Sequence, residues 1–93
     1  MSWNAFLEKV ANAYGLFDKD SRQVFLTRFA ARSWHKSNAQ VATELHISEV
    51  TLQRRLGRVY SIFVLSCPDL NSNRKGKFRR LRDWLKTGYS QSK

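Results

Sequence analysis

The sequence predicts an all-α single domain of five helices, on three observations. Apolar residues recur three and four positions apart along most of the chain, polar cap residues stand ahead of four of those stretches, and no stretch alternates apolar with polar as a strand would. Ser2 caps a first helix whose Trp3, Phe6, Leu7, Val10, Ala11 and Tyr14 share one stripe, and Gly15 ends it. A second helix starts after Asp18 or Asp20; Asp20 with Gln23 forms a variant capping box. Its Val24, Phe25, Leu26, Phe29 and Ala30 are apolar on more than one side, as in a central helix touched by several others. Residues 31–36 form a connector with Trp34 packed beneath it.

Residues 37–63 carry the most specific pattern. Ser37 and Gln40 stand at the N-cap and N3 positions of a capping box, so a third helix begins at Asn38 and carries Val41, Ala42 and Leu45 inward. His46-Ile47-Ser48 breaks the period, and Ser48 caps a fourth helix with Val50 or Thr51, Leu52, Leu56, Val59 and Phe63 on its apolar side. Two short helices joined by a tight turn make a helix-turn-helix, which presents its second helix to the DNA major groove. Beyond it, Pro68 disfavours helix at Cys67 and sets a turn, residues 70–76 read as a polar loop, and a last helix spans about 77–87. That helix places Phe78, Leu81, Trp84 and Leu85 on one face, Gly88 stops it, and residues 89–93 fray.

Charge narrows the class of partner. Ninety-three residues with 42% apolar content and twelve aromatics suffice for a packed core, so the chain is not a disordered tail. The net charge of +10 is uneven: +1 over residues 1–31, +3 over 32–65 and +6 over 66–93. That gradient favours a polyanion, nucleic acid above all. The lone Cys67 forms no internal disulfide and suits a reducing compartment. The start lacks a basic leader segment, and no apolar run reaches the ~20 residues that cross a bilayer. A cytoplasmic protein without a membrane partner is expected.

Ser37, Val41-Ala42, Leu45, Ile47-Ser48, Thr51-Leu52, Leu56 and Val59-Tyr60 resemble the helix-turn-helix of LuxR/GerE-type response regulators over about a third of the chain. Asp20-Ser21-Arg22-Gln23 stands where that family has Thr-x-Arg-Glu. The whole chain, with Cys67-Pro68-Asp69-Leu70 and the run from Gly76 to Leu85, is also similar to the effector-associated helix-turn-helix modules of cyanobacterial conflict and signalling proteins of the STAND type. The first resemblance implies that Gln53, Arg54 and Gly57 face the groove. The second implies an adaptor that pairs with partner proteins.

Gln53 and Arg54 are the candidate base readers, since glutamine pairs with adenine N6/N7 and arginine with guanine O6/N7. Lys36, Ser37, Arg55, Arg58, Arg74, Lys75, Lys77, Arg79 and Arg80 are the candidate phosphate contacts. Arg55 has a second option, laying its stem along the helix toward a phosphate or a carboxylate. Five or six phosphate contacts correspond to a slope of log affinity on log salt of about −5. Gly57 offers no contact at a groove-facing position, or else permits close approach of another helix, and Glu49 repels phosphate. Both count toward the alternative, an adaptor that docks an acidic protein partner. A homodimer is expected in the DNA-binding case, because one short helix reads few base pairs.

No cofactor, metal ion, small-molecule substrate or enzymatic activity is expected. His35 and His46 lack partners at metal-ligand spacing, Cys67 has no histidine nearby in sequence, and no Gly-rich phosphate loop or paired-carboxylate motif occurs. Trp3, Trp34 and Trp84 lie on apolar stripes and are assigned to the core.

Overall fold

A computed structural model describes residues 1–71 and 76–91, with Asp69 and Asn71 described by backbone alone. Among these residues the chain is all-helical, with five α-helices, two short 3-10 turns and no strand.

The first helix, α1 (Trp3–Ala13), starts where the Ser2 hydroxyl oxygen accepts the Ala5 N–H at 3.1 Å. It buries Phe6, Leu7 and Ala11. Gly15, at φ 73°, ends it and lets the Leu16 N–H donate back to the Ala11 carbonyl at 2.8 Å. The second helix, α2 (Lys19–Arg28), is capped by Asp18, whose carboxylate accepts the Ser21 N–H at 3.0 Å. Of the two aspartates at this boundary, Asp18 is the cap, and Asp20 sits in the first turn. As its apolar pattern predicts, α2 is central: it packs on α1 and most extensively on the fourth helix, and Phe29 at its end meets Phe78 of the fifth at 5.0 Å.

The connector contains a 3-10 turn at Ala31–Ser33. The Phe29 carbonyl at the end of α2 accepts two indole N–H groups, from Trp3 at 2.8 Å and from Trp34 at 3.0 Å. The two rings meet edge-to-face at 5.5 Å, so one oxygen ties α1, α2 and the connector together. Trp3 and Trp84 are half-buried against the core rather than inside it, and Trp34 is half-buried against Trp3, outside the core cluster.

The third helix, α3 (Asn38–Glu44), has the full capping box: Ser37 Oγ accepts the Gln40 N–H at 3.2 Å, and Gln40 Oε1 accepts the Ser37 N–H at 2.8 Å. Residues 45–48 make the turn. His46 adopts φ 59°, its N–H donates to the Thr43 carbonyl, and the Ile47 N–H donates to Ala42 at 3.0 Å. The fourth helix, α4 (Glu49–Phe63), begins at Ser48, whose Oγ accepts the Thr51 N–H at 3.1 Å and donates to Thr51 Oγ1 at 2.8 Å. It buries Leu52, Leu56, Val59 and Phe63. Phe63 is the hub of the core, stacked on Phe25 at 5.4 Å and touching Tyr14 and Trp84 at 4.6 and 6.0 Å.

A 3-10 turn at Pro68–Asn71 follows, with Cys67 and Leu70 buried beside it. Leu70 therefore belongs to the core, not to a polar loop. The last helix, α5 (Lys77–Gln91), buries Leu81 and Leu85. Gly88 does not stop it, and Tyr89 is helical rather than frayed. Tyr89 packs on Trp3 and Phe6, each at 5.3 Å, and its hydroxyl donates to the Met1 carbonyl at 2.6 Å. Those contacts hold the final turns against α1 and outweigh the local preference of a glycine to end a helix.

A Cβ at Gly88 meets Phe6 Cζ at 3.5 Å, ordinary van der Waals contact, within a helix that gains from losing glycine. Gly88→Ala is expected to raise unfolding stability by about 0.5–1 kcal/mol, whereas Phe63→Ala lowers it by about 3–5 kcal/mol. Urea midpoints check both; a destabilised Gly88→Ala contradicts the continuous α5.

Candidate functional site

With Leu52, Leu56, Val59 and Phe63 buried, the phase of α4 decides what faces outward. Val50, Gln53, Arg54 and Gly57 fall at i, i+3, i+4 and i+7, within an arc of about 100° opposite the core. All four are exposed, with Ser61 continuing the stripe. The Ser48–Thr51 hydrogen bonds fix the first turn and tie up the Thr51 hydroxyl. Of the two residues offered for the apolar side, Thr51 is half-buried and Val50 points out, 65% exposed. A Cβ at Gly57 meets nothing within 4 Å, so this glycine accommodates no neighbouring helix of its own chain.

The structure separates the candidate cations into groups. Arg54 lies on the outward stripe and Arg58 on its edge; neither forms an ion pair among the described residues. Arg55 turns the other way, its Nη2 3.5 Å from an Asp20 carboxylate oxygen. That fulfils the carboxylate option for its side chain and binds α4 to the start of α2. Lys36 Nζ donates to Glu44 at 3.0 Å, and Arg32 binds the same carboxylate. The Ser37 hydroxyl oxygen is occupied as a cap acceptor, which leaves its proton for an outside acceptor.

A second group stands at the start of α5. Lys77, Arg79 and Arg80 occupy its first turn, following Gly76 at φ 97°. Lys77 and Arg79 form no ion pair among the described residues. Arg82 bonds Asp83, and both Arg82 and Lys86 lie over the Trp34 ring, at 5.9 and 5.3 Å. Arg74 and Lys75, named with this group from the sequence, lie outside the described residues.

One residue that the apolar pattern does not disclose is buried beside the first turn of α5. Arg28 is 5% exposed, donates from Nη1 to the Ser33 carbonyl at 2.9 Å, and lies over the Phe78 ring at 3.9 Å. Its Nε and the Ser33 hydroxyl are buried with no hydrogen-bond partner among the described residues. Burial lowers the Arg28 pKa from its ordinary value, and the neighbouring Tyr60 acts against that shift. The Tyr60 hydroxyl is itself pushed up to about 12 by burial. Arg28 thus joins the end of α2 to the connector and to Phe78 in the first turn of α5, with Tyr60 of α4 within electrostatic range. The signal available in the sequence was a lone arginine in phase with Ser21, Val24 and Phe25.

No family model, curated protein or solved structure matches the chain.

Among the described residues no three of His, Cys, Asp and Glu converge as metal ligands, and no helix is long and apolar enough to cross a membrane. An open groove of about 310 Å³ between α1 and α2 is lined by Asn4, Glu8, Leu26, Thr27, Ala30 and Arg32.

Hydrogen bonds from Arg32 and then Lys36 hold the Glu44 carboxyl below its ordinary value of 4.5. A depressed folded-state value stabilises the fold above the unfolded pKa and loses that contribution as pH falls through the folded one. Stability is therefore expected to fall as pH drops below 4.5, and Glu44→Gln to make the fall shallower. Urea midpoints taken downward from about pH 5 test this; an unchanged acid slope in Glu44→Gln contradicts it.

Proposed function

We propose that the protein is a helix-turn-helix DNA-binding module, a small transcriptional regulator or DNA-associated factor, in which α4 enters the major groove. The observation that carries this reading is the outward stripe of α4, with Gln53 and Arg54 exposed just beyond the Ser48 cap and Arg54 in no ion pair among the described residues. Those side chains match the donor and acceptor patterns of adenine and guanine edges. The α3–turn–α4 unit has the form that delivers a second helix to a groove. Lys77, Arg79 and Arg80 in the first turn of α5, with Arg58 on α4, supply sequence-independent attraction to phosphate. The module works as a homodimer, since one short helix reads few base pairs.

A second reading is favoured by different residues. Phe17 and Leu65 are 72% and 91% exposed, and solvation gives no reason for large apolar side chains there. They support an adaptor that docks an acidic protein partner on a helix-turn-helix scaffold.

Gel-shift titration separates the two. Mixed-sequence duplex DNA is expected to bind at about 50 mM salt, with log affinity falling on log salt at a slope near −4 to −5. Arg54→Ala should cost about 1–3 kcal/mol on a preferred site and relax its sequence preference. Lys77→Ala should weaken all sequences alike and reduce the slope by about 1. Absence of binding at low salt removes the DNA reading and leaves the adaptor.

A further inference from the structure

Val50 is the least explained residue on α4. It is β-branched in an exposed first helical turn, where it loses rotamer freedom and keeps most of its surface in water. The capping bonds of Ser48 leave it no inward alternative, because Thr51 fills the neighbouring half-buried position. It stands one turn ahead of Gln53 and Arg54 on the same stripe, and Gly57 behind them leaves open space. A helical turn advances about 5.4 Å and a base pair about 3.4 Å, so side chains one turn apart reach neighbouring base pairs.

Resting on the DNA reading above, we propose that Val50 is a specificity-determining residue that packs against the C5-methyl of a thymine. The thymine lies one or two base pairs from the purines met by Gln53 and Arg54. Apolar contact in the major groove separates thymine from the other three bases, since only thymine carries a methyl there. The open surface over Gly57 lets the groove floor approach α4 closely enough for a short side chain such as valine to reach it. The stripe therefore selects a duplex with a thymine beside an adenine- and guanine-containing step, and Val50 supplies a reading that neither polar side chain can.

The test uses the full chain, wild type and Val50→Ala, on a duplex selected by the wild type from a random pool, with each thymine replaced in turn by uracil. Uracil keeps every hydrogen-bonding group and lacks only the methyl. The expected result is one thymine per half-site whose replacement weakens wild type about fourfold, the burial of a single methyl, and leaves Val50→Ala unchanged. Wild-type binding that no uracil weakens, or a uracil effect equal in both proteins, overturns the proposal while leaving the DNA reading intact. Failure of the wild type to bind any duplex overturns both. Sedimentation without DNA adds a control: concentration-dependent association abolished by Val50→Ala assigns the stripe to a second copy of the chain and overturns the proposal.

Discussion

The packing of α4 on α2 is the constraint from which the rest of the molecule follows. Leu52, Leu56, Val59 and Phe63 are buried along one side of α4, and Phe63 stacks on Phe25 of α2. Burying a face at helical spacing leaves the opposite face no choice of residue. Once those four are inside, Val50, Gln53, Arg54, Gly57 and Ser61 are outside. The Arg55–Asp20 pair on one flank and the Arg28–Tyr60–Phe78 group on the other resist rotation of α4 about its axis. A side chain on the outward stripe thus has its direction set by the core rather than by its own contacts.

The distribution of charge follows from the few acids available. Asp18 serves as a helix cap, Asp20 holds Arg55, Glu44 holds both Arg32 and Lys36, and Asp83 holds Arg82. Seven acids against seventeen bases leave many cations without a carboxylate. Among the described residues, Arg54 and Arg58 on α4 and Lys77 and Arg79 on α5 are such cations. Exposed ion pairs contribute little to stability. The use of the acids matters more for where it leaves positive charge, on the outward side of α4 and in the first turn of α5.

Local signals made much of this legible in the sequence. Ser2, Ser37 and Ser48 cap the helices expected of them, because a cap is decided within four residues. The exposure of Gln53, Arg54, Gly57 and Arg58 followed from the phase of the buried leucines. What escaped was tertiary. Gly88 looked like a stop, and only the contacts of Tyr89 with Trp3, Phe6 and Met1 carry α5 through it. Leu70 sits in a polar stretch and is buried by the turn that Pro68 starts. Arg28 is a charged residue at a core position, and its partners, the Ser33 carbonyl and the Phe78 ring, lie five and fifty residues away. Val50 points outward because Leu52, buried two residues on, fixes the phase of α4, which the general apolarity of the segment does not disclose.

The most direct test of the central claim, that the outward face of α4 meets DNA with the start of α5 beside it, is a residue-by-residue map of amide chemical shifts during titration with duplex DNA. The expected perturbations run along Val50, Gln53, Arg54, Gly57 and Ser61 and through residues 77–80, with α1 unchanged. Perturbations confined to the groove between α1 and α2, or none at saturating duplex, contradict it.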